Sequence, residues 1–158
     1  MSRLLRWIAA IAAGLVLAGA ANGAARDPFL GSWTLDKAKS TIAHDPGVKS
    51  KTFLFSPTPD GVLVTETLEM LSGEKQSSRL PYAYGRKVAQ AGPGFDSLLV
   101  EKTGRRSATW TVSLKDKVLS KLAVLVSPDG REMAFRYLES AADRTGEVTK
   151  DRYVYVRQ

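Results

Sequence analysis

The chain has 158 residues, 44% of them hydrophobic and 25% charged, which fits one soluble globular domain. It contains no cysteine and a single histidine, His44. These counts exclude disulfides, thiolate metal sites, a cysteine nucleophile, a lipid-anchored cysteine and multi-histidine metal sites, and they disfavour histidine-assisted catalysis.

Residues 1–25 have the layout of a secretory signal peptide. Arg3 and Arg6 form a positive n-region, an uncharged apolar run extends from Trp7 to Ala18, and small residues follow at Ala18-Gly19-Ala20 and Gly23-Ala24-Ala25. The apolar run is shorter than the roughly 20 residues a spanning helix needs. The expectation is a signal peptide over 1–25, a single domain over 26–158, and export to the periplasm. Without Arg3 and Arg6 the net charge falls from +7 to +5, with 21 basic residues against 16 acidic. The basic clusters Arg86-Lys87 and Arg105-Arg106 are short, so solvated strand ends outweigh an anion-binding patch. Weak contact with anionic envelope components stays open, and no nucleic-acid partner is expected.

Beyond this segment, turn signals recur at short intervals, among them Pro57-Thr58-Pro59-Asp60-Gly61, Ser72-Gly73, Gly92-Pro93-Gly94 and Pro128-Asp129-Gly130. Runs rich in Val, Leu, Thr, Phe and Tyr lie between them. The pattern predicts strands over 30–36, 48–56, 62–70, 76–83, 86–90, 97–103, 106–114, 117–127, 131–139 and 148–157. Lys37-Ala38-Lys39-Ser40 can form one helical turn in the 37–47 connection. No internal repeat or long linker interrupts the series.

Alternation assigns faces. Phe53 and Phe55 share one face, Ala108, Trp110, Val112 and Leu114 a second, and Met133, Phe135 and Tyr137 a third. Glu66 interrupts the Val62, Val64, Leu68 and Met70 face. It marks either an outer or rim position, or an interior carboxylate whose cationic partner, an arginine, would fix a polar ligand head. Strand 117–127 is apolar on both faces, so it is covered on both sides or it bends. Tyr82 and Tyr84 share a face, as do Tyr153 and Tyr155, at a pocket or on the surface. About ten strands joined by tight turns, without crossover helices, require stacked sheets or closure into a barrel.

The string Asp27-Pro28-Phe29-Leu30-Gly31-Ser32-Trp33-Thr34-Leu35, running on to Lys39-Ser40, carries a Gly-x-Trp on the first strand. It resembles the opening of the lipocalins and the wider calycin group. The longer pattern is similar to a family of small secreted bacterial lipocalin-like proteins of unassigned function, over about 27–158. The resemblance implies an all-β, single antiparallel up-and-down barrel of about 8–10 strands. In that fold Gly31 bends the backbone at the closed end, Trp33 plugs it, and an arginine of the last strand packs across the indole. Arg152, Arg157 and Arg136 are candidates, and the plug set is Gly31, Trp33 and Arg152.

The function expected on this basis is non-catalytic binding of a small apolar or amphipathic molecule by a monomer, with no cofactor and no metal. Phe53, Phe55, Trp110, Phe135 and Tyr137 are the candidate lining residues. Two alternatives stand beside it: a solid-cored envelope interaction module using its basic outer surface, and a cyclase- or isomerase-type enzyme on the same barrel. His44 sits beside Asp45 and Pro46 in a loop, a poor setting for a haem ligand. No catalytic string is present.

Overall fold

Alternating apolar and polar residues broken by turn formers give ten strands. They are β1 (Gly31–Leu35), β2 (Val48–Thr58), β3 (Gly61–Met70), β4 (Lys75–Tyr82), β5 (Lys87–Ala89), β6 (Ser97–Gly104), β7 (Ser107–Leu114), β8 (Lys117–Val126), β9 (Glu132–Ser140) and β10 (Arg152–Arg157). The structure, a computed structural model, describes residues 26–42, 47–92, 94–141 and 151–158. The signal-peptide expectation for 1–25 and the reading of His44 lie outside the described residues.

The strands form one antiparallel sheet in the order β4-β3-β2-β1-β10-β9-β8-β7-β6-β5. Consecutive strands pair with each other except β4 and β5, and β1 pairs with β10 to carry the meander round into a barrel. The fold is the expected all-β up-and-down barrel. Closure is incomplete at one seam, because β4 and β5 share no ladder. Isolated bridges fill in there: Ala83 pairs with Arg86, and Tyr84 pairs with Val100 of β6. The Gln90 side-chain amide donates to the Pro81 carbonyl at 2.8 Å across the same seam.

Local chemistry sets the connections. Lys115 and Asp116 both take positive φ and make the two-residue hairpin between β7 and β8. The predicted helical turn at 37–40 is a plain turn, in which the Asp36 carboxylate accepts from the Ala38 and Lys39 amides at 3.0 and 3.1 Å. These local bonds compete with helix continuation. β8, apolar on both faces in sequence, bends rather than being covered twice. Register shifts at Val112/Ser113 and Lys121/Leu122 interrupt its ladders, so Val124 and Val126 are buried while Val118 and Leu125 are exposed.

One end of the barrel is packed solid. Trp33 is fully buried and belongs to one core cluster with the equally buried Phe29, Phe55, Val64, Leu98, Val126 and Met133. The Trp33 indole Nε1 donates to the Phe29 carbonyl at 2.8 Å. The arginine across the ring is Arg157, its guanidinium 4.2 Å from the ring centroid. It is clamped in place by donating to the carbonyls of Pro28, Leu30 and Gly130, each at 2.7 Å. This corrects the assignment to Arg152. Across the β1–β10 ladder Trp33 lies directly opposite Arg157, whereas Arg152 lies at the other end of β10, opposite Arg136. Arg152 is also exposed, in the outward phase of a strand that turns Tyr153 and Tyr155 inward. Gly31, at φ +119°, keeps this end open to the guanidinium, since a Cβ there would lie 2.8 Å from Arg157 Nη1.

Candidate functional site

The other half of the barrel is hollow. A cavity of about 400 Å³ opens between the strands beyond the Trp33 layer. Its floor is aromatic. Phe53, Trp110 and Phe135 are each about 6% exposed, and Tyr155 is 2% exposed. Their ring centroids lie close together, at 5.0 Å for Phe53–Tyr155 and at 5.6 Å for both Phe53–Phe135 and Trp110–Phe135. Such contacts fix rings in offset and edge-on arrangements and leave a rigid apolar surface. Leu68, Leu80, Val112 and Leu122 form the side walls, with Phe95 and Ile42 also on the lining.

Of the five lining candidates from the sequence, Phe53, Trp110, Phe135 and Tyr137 face this cavity. Phe55 does not. It shares the inward face with Phe53 but lies two residues nearer the packed end, with its ring 6.1 Å from Trp110. It is only 2% exposed and belongs to the solid core. A barrel can be filled at one end and open at the other, so a shared face does not imply a shared depth.

Glu66 points inward and lines the cavity. Its partner is not an arginine. Lys51 Nζ lies 2.6 Å from Glu66 Oε1, with the two side chains 26% and 20% exposed. Lys51 also sits 5.0 Å from the centroid of the Phe53 ring. The sequence reading missed Lys51, although its phase shows it: it is two residues before Phe53 and so shares that inward face. Tyr153 and Tyr155 also line the cavity. Among the described residues no three acidic or histidine side chains converge as a metal site requires.

Tyr82 and Tyr84 belong to a different cluster. Their hydroxyls are 3.3 Å apart, and that of Tyr84 donates to Asp27 Oδ2 at 2.7 Å. Lys102 Nζ lies 3.4 Å from the same carboxylate oxygen and 4.3 Å from the centroid of the Tyr84 ring. The cluster ties the residues before β1 to the β4–β5 turn and to β6. Of the basic clusters, Lys87 is paired with Asp116 at 2.7 Å, while Arg86, Arg105 and Arg106 are exposed.

Burial dominates the tyrosine ionisation. It pushes the Tyr82 hydroxyl up to about 12, the bond to Tyr84 opposing and Asp27 adding. Tyr84 is pushed up further, by burial first and then by its bonds to Tyr82 and Asp27. Tyr137 and Tyr155 also rise through burial, with the negative charge of Glu66 contributing to both. A phenol whose pKa is raised on folding contributes stability that is complete below about pH 10, its unfolded value, and is lost as the pH climbs through the folded one. Absorbance titration of tyrosinate at about pH 10.5 therefore finds fewer tyrosines ionised in the folded protein than in the unfolded chain. Unfolding in denaturant at that pH raises the ionised fraction to that of free phenols, which are mostly ionised there. Full ionisation of the folded chain there contradicts the packing described.

No family model matches the chain, and no curated protein matches its sequence. Solved structures do match in shape. As-p18, an extracellular fatty acid binding protein, aligns with TM-score 0.58 at 11% identity, over 84% of this chain and 97% of its own. A mutant of the fluorescent protein UnaG aligns with TM-score 0.55 at 9% identity, over 83% and 96%. A Schistosoma mansoni fatty acid binding protein, in complex with arachidonic acid, aligns with TM-score 0.50 at 17% identity, over 83% and 96%. The chain has a calycin-type barrel fold. At these identities the likeness establishes the architecture alone.

Proposed function

We propose that the protein is an exported, non-catalytic carrier that holds one small apolar or amphipathic molecule in the open half of its barrel. The observation that carries this reading is the cavity of about 400 Å³ above a solid core. That volume falls in the range of small-molecule sites, and the lining has their composition: mostly apolar and aromatic, with a few convergent polar groups. The ligand gains by leaving water for a preformed apolar surface, while Lys51, Glu66 and the tyrosine hydroxyls meet its polar end. Two of the structural neighbours are fatty acid binding proteins, which agrees with the reading. The N-terminal sequence supports export to the periplasm, and the Gly-x-Trp opening supports kinship with secreted bacterial lipocalin-like proteins.

A solid-cored module loses ground to the hollow interior. An isomerase-type enzyme needs two titratable groups on one cavity, and Lys51 with Glu66 meets that condition. Binding is favoured because each of the two is already the other's hydrogen-bonding partner, so neither is presented to a reacting proton. Titration with the neutral fluorophore N-phenyl-1-naphthylamine tests the carrier. The expected result is a blue-shifted, saturable signal at one site per chain, and the absence of any saturable signal overturns the reading.

A further inference from the structure

The charges facing the cavity decide which polar head it accepts. Among the described residues, the charged side chains on the lining are Lys51 and Glu66. They stand on adjacent strands, β2 and β3, where Phe53 is the direct partner of Glu66 and Lys51 that of Leu68. The two groups are bound to each other at 2.6 Å, so the cation on this wall is already neutralised.

An anionic head entering here must share Lys51 with Glu66 and lie close to that carboxylate. Like charges a few ångströms apart repel strongly where water is thin. A cationic head meets the same obstacle from Lys51. A neutral head meets neither. An ammonium has three donors and a carboxylate two acceptor oxygens, so each retains capacity after pairing with the other. A head that both accepts and donates can therefore add to the pair without breaking it. Tyr137, Tyr155 and Ser120 line the same space, and a neutral phenol or alcohol can donate or accept. Size sets a second limit. At roughly 30 Å³ per water-sized atom, the cavity of about 400 Å³ admits about thirteen non-hydrogen atoms.

We propose that the cavity selects an uncharged amphipath, an acyl chain of about ten carbons ending in a head with both a donor and an acceptor such as an amide, over the carboxylate of the same chain. This rests on the carrier reading, and its failure can be told apart from the failure of that reading.

The test is displacement of N-phenyl-1-naphthylamine by decanamide and by decanoate at about pH 8, where the carboxylate is ionised. Wild type is expected to bind decanamide at least tenfold more tightly than decanoate. Any apolar cavity disfavours a carboxylate to some degree, so the Glu66→Gln variant decides the cause. Removing the anion frees Lys51, and decanoate is then expected to bind as tightly as decanamide or more tightly. Glu66→Leu, whose apolar side chain suits the aromatic surroundings, makes the same comparison if the glutamine variant does not fold. Decanoate binding as well as decanamide in wild type, or a preference unchanged without Glu66, overturns the selectivity and leaves the carrier standing. A probe that binds but that neither compound displaces also overturns it. Failure of the fluorophore itself to bind overturns both.

Discussion

Replacing Trp33 by alanine lowers the unfolding free energy by about 3–5 kcal/mol, the usual cost of removing a large aromatic side chain from a tight core. The indole is fully buried and donates to the Phe29 carbonyl, so the loss includes a hydrogen bond as well as area. It also removes the surface on which Arg157 rests, and with it the reason for that side chain to hold three carbonyls together. Arg157→Ala is expected to cost about 1–3 kcal/mol, from those bonds and the cation–π contact. Arg152→Ala, on the outer face, should stay within about 0.5 kcal/mol of wild type. Equilibrium urea unfolding of the three variants reads the order directly. A Trp33→Ala protein within about 1 kcal/mol of wild type, or Arg152→Ala costing more than Arg157→Ala, contradicts the closed end as described.

Filling the cavity abolishes binding while leaving the barrel folded. Leu68 on β3 and Leu122 on β8 lie on different walls, and both are only partly buried. Tryptophan at both positions directs two indoles into a space that already exists, so the strain of overpacking should stay near the low end of its usual 1–3 kcal/mol. The Leu68→Trp/Leu122→Trp protein is expected to bind N-phenyl-1-naphthylamine at least about 100-fold more weakly than wild type, a difference of roughly 2.8 kcal/mol. Its far-ultraviolet dichroism should be unchanged. Retained affinity would place the site elsewhere. The shallower hollow beside the β4–β5 seam, lined by Thr58, Tyr82 and Arg86 among others, would then be the next place to look.

All ten strands are legible in the sequence because turn formers punctuate the chain at short intervals and several of the strands between them alternate with period two. The inward phase of Trp110, Phe135 and Tyr137 follows from that same period. Depth along the barrel does not, because alternation reports which face a residue occupies and not which layer. Hence Phe55 reads like Phe53 although it belongs to the core. The choice between Arg152 and Arg157 depends on register across β1 and β10, which pair from opposite ends of the domain. No local pattern encodes that pairing. The Lys51–Glu66 pair depends likewise on the β2–β3 register, although the phase of each residue alone already points inward. The open β4–β5 seam has no counterpart in the sequence, since Arg86 to Gln90 reads as an ordinary short strand.

Native mass spectrometry of the protein purified from its own host tests the central claim most directly. The account predicts one non-covalently held small molecule per chain, lost on extraction with organic solvent and replaced by decanamide on re-addition. A bare polypeptide mass that gains nothing from decanamide, fatty acids or retinoid-like compounds would contradict it.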